Sequence, residues 1–322
     1  MRVVVMREFG PPEVLRPAEI EAVAAGPGEV VIDVEICGVT FVETQIRAGR
    51  PPRPEMLPAL PAILGNGVGG TIADAGAGVD ADWIGRRVVT SLNGTGGYAE
   101  RAVAPGRQLV EVPDDVALPD AVALLADGRT ALVLIRQARP TAGEIVLVEA
   151  AAGGVGSLLV QLATSAGARV VALASQPGKL ALARELGAEI AVDYTSANWP
   201  ERVREAVGSV DVVFDGVGGD IGRAAFGLLG PGGRFCPFGM ASGSFAPVTA
   251  ELAAERGVTI GRGAALGPGE HAALVRAALA EAAAGRIRPV IGQRVEMERA
   301  ADAHAAIEAR ATTGKTLLTV TR

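Results

Sequence analysis

Two patterns of hydrophobic and polar positions divide the chain. From Met1 to about Pro119, short runs of alternating apolar residues are separated by glycine and proline. This texture predicts short strands in a small antiparallel barrel or sandwich. From about Leu118 to Gly243, strand-like runs alternate with longer helical segments, which favours right-handed crossovers and a parallel, doubly wound sheet. The sequence therefore predicts an α/β protein with a β-rich domain and a doubly wound domain.

The individual elements follow from the same patterns. In the first part, the predicted strands are Arg2–Met6, Glu29–Ile36, Gly69–Ala75, Arg86–Ser91 and Tyr98–Val103. In the second part, after a strand and a helix between Ile145 and Gly167, the predicted elements are Arg169–Ser175, Gly178–Leu186, Ile190–Tyr194, Pro200–Val207, Asp211–Asp215, Ile221–Leu229 and Gly233–Gly239, strand and helix in turn. The last part is predicted to contain two helices and a strand, Pro268–Gly285, Arg299–Ala311 and Thr316–Thr321.

The segment after residue 245 is too short to form a domain of its own. We therefore expect it to return to the first domain. On this interpretation residues 1–119 and 246–322 form one domain, and residues 120–245 form the other.

The most informative segment is the strand-like IVLVEA, which runs directly into Ala150-x-x-Gly153-x-x-Gly156 and a helix ended by Gly167. Glycines at these positions let the backbone approach a dinucleotide pyrophosphate, and a helix N-terminus supplies free N–H groups and a positive dipole end. Strand, glycine turn and helix occur in the required order, which favours a cofactor turn over an ordinary tight turn. The predicted pyrophosphate contacts are Ala152, Gly153, Gly154, Val155 and Gly156.

The residues after the second strand favour NADPH over NADH. An NAD site usually carries a carboxylate ~20 positions past the glycines, whereas this strand ends in Ala174-Ser175-Gln176. The Ser175 hydroxyl leaves room for a 2′-phosphate, and Lys179 can supply a cation. Lys179 is one of only two lysines among 30 basic residues, although a solvated lysine at a helix start is the alternative. Tyr194 lies at the end of the third strand, on the same side of the sheet as Ser175. Its hydroxyl is a candidate phosphate contact, and a half-buried structural tyrosine is the alternative.

Two further strand ends are candidates for the nicotinamide site. Ligands of open α/β sheets bind outside the carboxyl ends of the strands. One predicted strand ends at Phe238, Gly239 and Met240, whose backbone is placed to contact the nicotinamide. The strand before it ends in the segment that contains Val217. Plain strand-to-turn glycines explain both segments equally well.

Composition and charge exclude several classes of function. The net charge of −6 gives no basic footprint for nucleic acid and no polybasic surface for a membrane. No apolar run reaches the ~18 residues of a membrane span. We therefore expect a cytoplasmic protein that has a small-molecule substrate and neither a nucleic-acid nor a membrane partner.

The residues available give poor support for a zinc site and for a Ser-His-Asp or Cys-His catalytic arrangement. The chain has two histidines, His271 and His304, and two cysteines, Cys37 and Cys236, with no spacing typical of metal ligands. We interpret both histidines as helix-surface residues and both cysteines as buried hydrophobic residues. No nucleophile lies on a recognisable elbow. We therefore predict no metal ligands in this sequence.

Taken together, these motifs resemble the zinc-free quinone oxidoreductase branch of the medium-chain dehydrogenase/reductase superfamily. The resemblance runs over nearly the whole chain and rests on the number and order of its motifs. These are Gly10–Leu15, Gly26–Val30, Gly38–Phe41, Arg47–Gly49, Gly96–Glu100, the AAAGGVG turn, Asp215–Gly219, Gly232–Arg234 and Gly314–Leu318. The resemblance implies a GroES-like catalytic domain built from both ends of the chain, an inserted Rossmann domain, and NADPH and substrate in the cleft between them. It also implies a homodimer.

The sequence departs from this family at the presumed substrate pocket. Zinc-dependent members carry a cysteine where this chain has Thr40, and Gly-His-Glu where it has Gly65-Asn66-Gly67. Zinc-free members usually keep an asparagine at the position of Thr40, an apolar residue at that of Arg129 and an aromatic residue near Gln45. Thr130 matches the nicotinamide-side threonine of the family.

The predicted reaction is hydride transfer from NADPH to a quinone or a conjugated enone. Without zinc, charge that develops on the acceptor oxygen must be met by donors, for which Thr40, Gln45 and Arg129 are the candidates, with Thr130 beside the nicotinamide. The first alternative is a carbon–carbon double-bond reductase that acts on an enoyl thioester or a biosynthetic intermediate. The second is a non-catalytic NADPH-binding regulatory protein.

Overall fold

The chain folds into two compact units. A computed structural model describes residues 1–263 and 270–321. The first unit contains Met1–Ala126, residues 270–283 and residues 289–321, and the second contains residues 127–263 and Ala284–Arg288. None of the helices within these described ranges is long and apolar enough to cross a membrane.

The helices and strands alternate irregularly in the first unit and more regularly in the second. Up to residue 138 they are β1 (Arg2–Met6), β2 (Leu15–Glu19), β3 (Glu29–Val39), α1 (Phe41–Arg47), β4 (Ala62–Ile63), β5 (Gly67–Ala75), β6 (Arg87–Ser91), β7 (Arg101–Pro105), β8 (Val110–Glu111) and α2 (Leu118–Ala138). Beyond it they are β9 (Ile145–Val148), α3 (Gly154–Ser165), β10 (Arg169–Ala174), α4 (Pro177–Glu185), β11 (Ile190–Asp193), α5 (Trp199–Val207), β12 (Val210–Asp215), α6 (Gly219–Phe226), β13 (Leu229–Pro237), α7 (Ala250–Glu255), β14 (Thr259–Ile260), α8 (Glu270–Ala283), β15 (Ile291–Glu296), α9 (Ala300–Glu308) and β16 (Lys315–Thr319).

The first unit is built on a seven-stranded sheet and a three-stranded sheet. The larger sheet has the order β15-β16-β3-β5-β6-β8, and β7 also pairs with β3; the smaller one has the order β2-β1-β4. Strand β3 pairs antiparallel with β5, β7 and β16. Its inward residues join a core that includes Val4, Ile32, Val68 and Leu318. The C-terminal strand thus completes the N-terminal sheet, as the sequence predicts.

The second unit is a six-stranded parallel sheet in the order β11-β10-β9-β12-β13-β14. Its strands are nearly continuous apolar runs because helices cover both faces of such a sheet. Leu147, Val171 and Val213 lie in the core, where Phe226 and Phe235 meet edge to face with ring centroids 5.4 Å apart. The predicted α/β fold class, with a GroES-like domain and a Rossmann domain, is confirmed.

The structure moves several predicted boundaries. The predicted strand Tyr98–Val103 begins only at Arg101, because the N–H groups of Gly97 and Tyr98 bond back to the loop carbonyls of Gly65 and Leu64. Strand β14 pairs with β13 of the parallel sheet, although it lies beyond the proposed domain limit at residue 245. The start of the predicted helix Pro268–Gly285 lies outside the described residues. The domain limits drawn from the sequence stay a prediction.

The interpretation of His304 as a helix-surface residue is wrong, whereas His271 is exposed as predicted. His304 has no exposed surface, and its Nε2 lies 2.9 Å from the Tyr98 hydroxyl in a hydrogen bond. Burial lowers the pKa of His304 to about 3, and the Arg47 charge adds to the effect. Helix α9 is so rich in alanine that its sequence does not reveal which face is covered. Both cysteines are buried as predicted, and burial raises the pKa of Cys236 to about 12.

Candidate functional site

The glycine turn between β9 and α3 is shaped by close backbone approach. Ala150 adopts a left-handed conformation with φ 46°, and the Gly153 N–H bonds to its carbonyl at 2.8 Å. A Cβ on Gly156 would lie against that same carbonyl, closer than side chains approach backbone. Glycine is therefore required at position 156 for the chain to pass from strand to helix here.

The N-terminus of α3 offers three unused donors. The first hydrogen bond to the turn is made by the Ser157 N–H, which donates to the Gly153 carbonyl at 2.9 Å. The N–H groups of Gly154, Val155 and Gly156 donate to no group within residues 1–263 and 270–321. Gly153 precedes the helix without a side-chain cap, so the donors are not covered. Free N–H groups at a helix start suit a pyrophosphate, and the residues present fit a dinucleotide.

A carboxylate that sequence reasoning missed stands at the same helix start. The space into which a Cβ on Gly154 would project is taken by the Asp127 carboxylate, from the middle of α2. A negative charge there interacts favourably with the helix N-terminus. Arg129 follows two residues later; partial burial lowers its pKa, and the Asp127 charge opposes this. Thr130 is half-buried on the same helix.

Two of the three residues predicted for the adenosine end, Ser175 and Tyr194, lie side by side after β10 and β11. Ala174 and Asp193 are register partners, and the Tyr194 N–H donates to the Ala174 carbonyl at 3.2 Å. Ser175 and Tyr194, which directly follow these strands, are therefore neighbours. Lys179 lies in the first turn of α4, and all three side chains are half-buried.

The strand ends predicted for the nicotinamide are tied to each other. The N–H groups of Phe238 and Gly239 donate to the Asp215 carbonyl at 2.8 and 3.2 Å. A Cβ on Gly216 would lie 2.6 Å from the Phe238 ring, so the turn after β12 packs directly on the residues after β13. Phe238, Gly239 and Met240 are half-buried.

The turn after β12 is held by two buried carboxyl groups, Glu149 and Asp215. The Val217 N–H lies 3.1 Å from Glu149 Oε2 and 3.1 Å from Asp215 Oδ1, and the Gly218 N–H donates to Asp215 Oδ1 at 2.6 Å. The Val217 carbonyl accepts from Ser242. Val217 is thus fully engaged inside the protein. Glu149 is the single acidic residue in the apolar run IVLVEA, a signal that could have identified it.

In the first unit, Thr40 and Gln45 belong to one short helix, α1: Thr40 caps its N-terminus and Gln45 lies within it. Thr40 is its N-cap and forms a capping box with Glu43: the Thr40 N–H donates to Glu43 Oε2 at 2.6 Å and the hydroxyl lies 3.1 Å from it. The Gln45 amide donates to the Thr44 hydroxyl at 3.1 Å. Both candidate donors are therefore already engaged within their own helix.

Glu43 is a buried residue that sequence reasoning missed, although Thr-x-x-Glu is the sequence signature of a capping box. Its second oxygen accepts the Asn66 N–H at 2.8 Å. Burial raises the pKa of Glu43, and the bonds from Thr40 and Asn66 together with the charge of buried Lys315 oppose the shift. The positions at which zinc-dependent relatives carry ligands thus hold a carboxyl-centred hydrogen-bond cluster.

No group of three or more His, Cys, Asp or Glu side chains in the described ranges has the geometry of a metal site. The Asn66 side chain, at one of the positions where zinc-dependent relatives carry ligands, accepts the N–H groups of Leu92 and Gly94 at 3.1 and 2.7 Å. Asn66 is therefore committed to the loop that follows β6.

Comparisons with known proteins agree with this geometry. Residues 26–114 match the family described as alcohol dehydrogenase GroES-like domain, and residues 154–281 match that described as zinc-binding dehydrogenase. The chain is 33% identical over 318 residues to the quinone oxidoreductase of Pseudomonas aeruginosa, and the match covers 96% of this chain and 97% of that protein. It belongs to the quinone oxidoreductase branch of the medium-chain dehydrogenase/reductase superfamily.

Two further members of the superfamily illustrate its range. A 2-haloacrylate reductase from a Burkholderia species is 33% identical over 249 residues, which cover 76% of this chain and 74% of that protein. The structure of Escherichia coli quinone oxidoreductase complexed with NADPH superimposes with a TM-score of 0.91 at 27% identity, and the match covers 99% of this chain and 100% of the other.

Proposed function

We propose that this protein is an NADPH-dependent, zinc-independent oxidoreductase that reduces a quinone or a conjugated enone. The observation that carries the proposal is the glycine turn with three uncommitted N–H groups, in a chain similar over nearly its whole length to quinone oxidoreductases. By the same resemblance we propose a cytoplasmic homodimer, in which one domain comprises residues 1–119 with 246–322 and the other residues 120–245.

The cofactor contacts follow from the strand ends. The N–H groups at the start of α3 would bind the pyrophosphate, and Ser175, Lys179 and Tyr194 would bind the 2′-phosphate. Ala152 and Gly153, in the glycine turn, would lie beside the pyrophosphate. The half-buried backbone at Phe238, Gly239 and Met240 would meet the nicotinamide half, with the turn that contains Val217 behind it. Bound NADPH supplies a hydride from C4 of its nicotinamide.

Arg129 is the best-suited donor for the acceptor oxygen. The Thr40 hydroxyl is occupied by Glu43, and the Gln45 amide donates to Thr44, so each can contribute only its remaining capacity. The guanidinium of Arg129 stays charged at all working pH values and carries five N–H donors. Thr130, one residue later on α2, would orient the nicotinamide.

A second candidate is reduction of an activated carbon–carbon double bond next to a carboxylate or thioester. The 2-haloacrylate reductase among the relatives favours it, as does Arg129, since a guanidinium pairs with a carboxylate through two parallel hydrogen bonds. The two candidates share the same cofactor and differ only in the acceptor.

The test is cofactor oxidation against a panel of quinones, enones, 2-alkenals, enoyl thioesters and 2-haloacrylates, with NADPH and NADH in parallel. Quinone turnover with preference for NADPH supports the first candidate. Turnover confined to activated double bonds supports the second. Tight binding of NADPH without turnover of any acceptor would point to a non-catalytic NADPH-binding regulatory protein and overturn both. The same assay after dialysis against a chelator should give unchanged rates.

A further inference from the structure

Two buried carboxyl oxygens at the carboxyl ends of the central strands β9 and β12 lack hydrogen-bond partners within the described residues. Glu149 and Asp215 lie at the ends of neighbouring strands, and both are fully buried. Glu149 Oε1 and Asp215 Oδ2 have no hydrogen-bond partner in the described parts of the chain. An unsatisfied buried carboxylate oxygen carries a large desolvation penalty, and two such oxygens side by side also repel each other.

The two groups are within reach of one another. Both accept from the single N–H of Val217, so the two carboxyl groups lie side by side. Burial, and then the Asp215 charge, raise the pKa of Glu149 well above its usual range. Like charges this close cannot both stay ionised in a dry site.

We propose that Glu149 and Asp215 share one proton, and that the pair positions the turn 216–218 for the nicotinamide end of the cofactor. A proton on Glu149 Oε1 donates to Asp215 Oδ2, which satisfies both unpartnered oxygens at once. The remaining negative charge lies on Asp215, whose Oδ1 receives the N–H groups of Val217 and Gly218. Glu149 and Asp215 are positioning residues. The shared proton is independent of the proposed function, whereas the positioning of the nicotinamide end rests on it.

The surroundings keep the proton in place. From α6, Gly222 packs closely on Asp215, since a Cβ at that position would lie 2.6 Å from Oδ2. From β9 and the glycine turn the neighbours are Val148 and Ala151, both buried and apolar. Within residues 1–263 and 270–321, Asp215 is the charged group that acts on Glu149, and no cation from these elements offsets it.

The position explains why the pair matters for the cofactor. Phe238 and Gly239 donate to the Asp215 carbonyl, and the Gly216 backbone packs on both. A displacement of Asp215 would therefore move the ends of β12 and β13 together. Glu149 itself lies one residue before the glycine turn, so the pair links the pyrophosphate side of the site to the nicotinamide side.

The direct test is infrared difference spectroscopy of the cofactor-free protein near neutral pH, wild type against Glu149→Gln. The expected spectrum contains the carbonyl stretch of a protonated carboxylic acid, which shifts in deuterated water and is absent from the variant. Glu189→Gln, at an exposed ion pair with Arg169, is the matched control and should retain the band. A wild-type spectrum without the band would overturn the shared proton.

The positioning role is tested by the dissociation constant of NADPH for Glu149→Gln and Glu149→Ala. Glutamine reproduces the protonated group, since its amide donates to Asp215 and its carbonyl accepts from Val217; we expect NADPH binding within about twofold of wild type. Alanine leaves Asp215 Oδ2 without a donor and should weaken binding about tenfold. Equal weakening in both variants would contradict the proposal. Acceptor turnover by the wild type is measured separately, so a failure of the proposed function would leave these results interpretable.

Discussion

We propose that the choice between NADPH and NADH depends on Lys179. It is half-buried in the first turn of α4, the helix that follows Ser175, and no carboxylate lies at the end of β10. We expect Lys179→Ala to weaken NADPH binding by ~1–3 kcal/mol, the scale of a lost charged hydrogen bond, and to leave NADH binding almost unchanged. Fluorescence titration with both cofactors measures this. An equal loss for NADH would remove Lys179 from the 2′-phosphate site.

Gly156 is the residue at which the turn tolerates no side chain. In Gly156→Ala the new methyl would overlap the Ala150 carbonyl, so the turn must open and the N–H groups at the start of α3 must move. We expect NADPH binding at least about tenfold weaker, because the charged hydrogen bonds to the pyrophosphate are lost. In Gly230→Ala the methyl would meet only the Ser209 side chain, at 3.2 Å from Oγ, and this control should bind normally. Normal binding by Gly156→Ala would show that the turn is not built as described.

At the scale of elements, the capping box at the start of α1 is the clearest case of local sequence that fixes local structure. Thr40→Ala removes the side-chain acceptor of the Glu43 N–H and a donor to its buried carboxylate. We expect the free energy of unfolding, measured by urea denaturation, to fall by about 0.5–2 kcal/mol, the usual cost of a lost N-cap. Thr40→Ser keeps the hydroxyl and should recover most of the loss. Equal stability of the two variants would contradict the role of the cap.

The elements also show where prediction from sequence stops. Periodicity and turn residues predict the parallel sheet and the glycine turn, because these features depend on neighbours along the chain. The Glu149–Asp215 pair depends instead on two strands that lie side by side only in the folded sheet. Thr130 follows from a family motif and Arg129 from a departure from it, whereas the approach of Asp127 to Gly154 depends on the packing of α2 on the turn.

For the whole molecule, buried His304 makes stability depend on pH. Its pKa is about 3 in the folded protein, below the value of 6.5 expected when unfolded. As the pH falls below that value, the unfolded chain takes up a proton that the folded chain does not. The contribution of neutral His304 to the free energy of unfolding is therefore complete above pH 6.5. Between pH 6.5 and about pH 3 that free energy falls by about 1.4 kcal/mol per pH unit.

Urea denaturation across this range, with His304→Gln as the control, isolates the contribution of the histidine. The variant lacks the titrating group, so its unfolding free energy should fall less steeply with decreasing pH than that of the wild type. Parallel curves for the two proteins would mean that His304 is not buried in its neutral form.

The central claim for the whole molecule is hydride transfer from NADPH to an electron-poor acceptor. It is tested most directly by mixing the preformed complex of the protein and NADPH with a stoichiometric amount of 1,4-benzoquinone, and by repeating this with NADPH deuterated at both C4 positions. The account predicts one hydroquinone formed per NADPH oxidised, and a slower reaction with the deuterated cofactor. Absence of cofactor oxidation, or a rate equal to that of the same mixture without the protein, would contradict it.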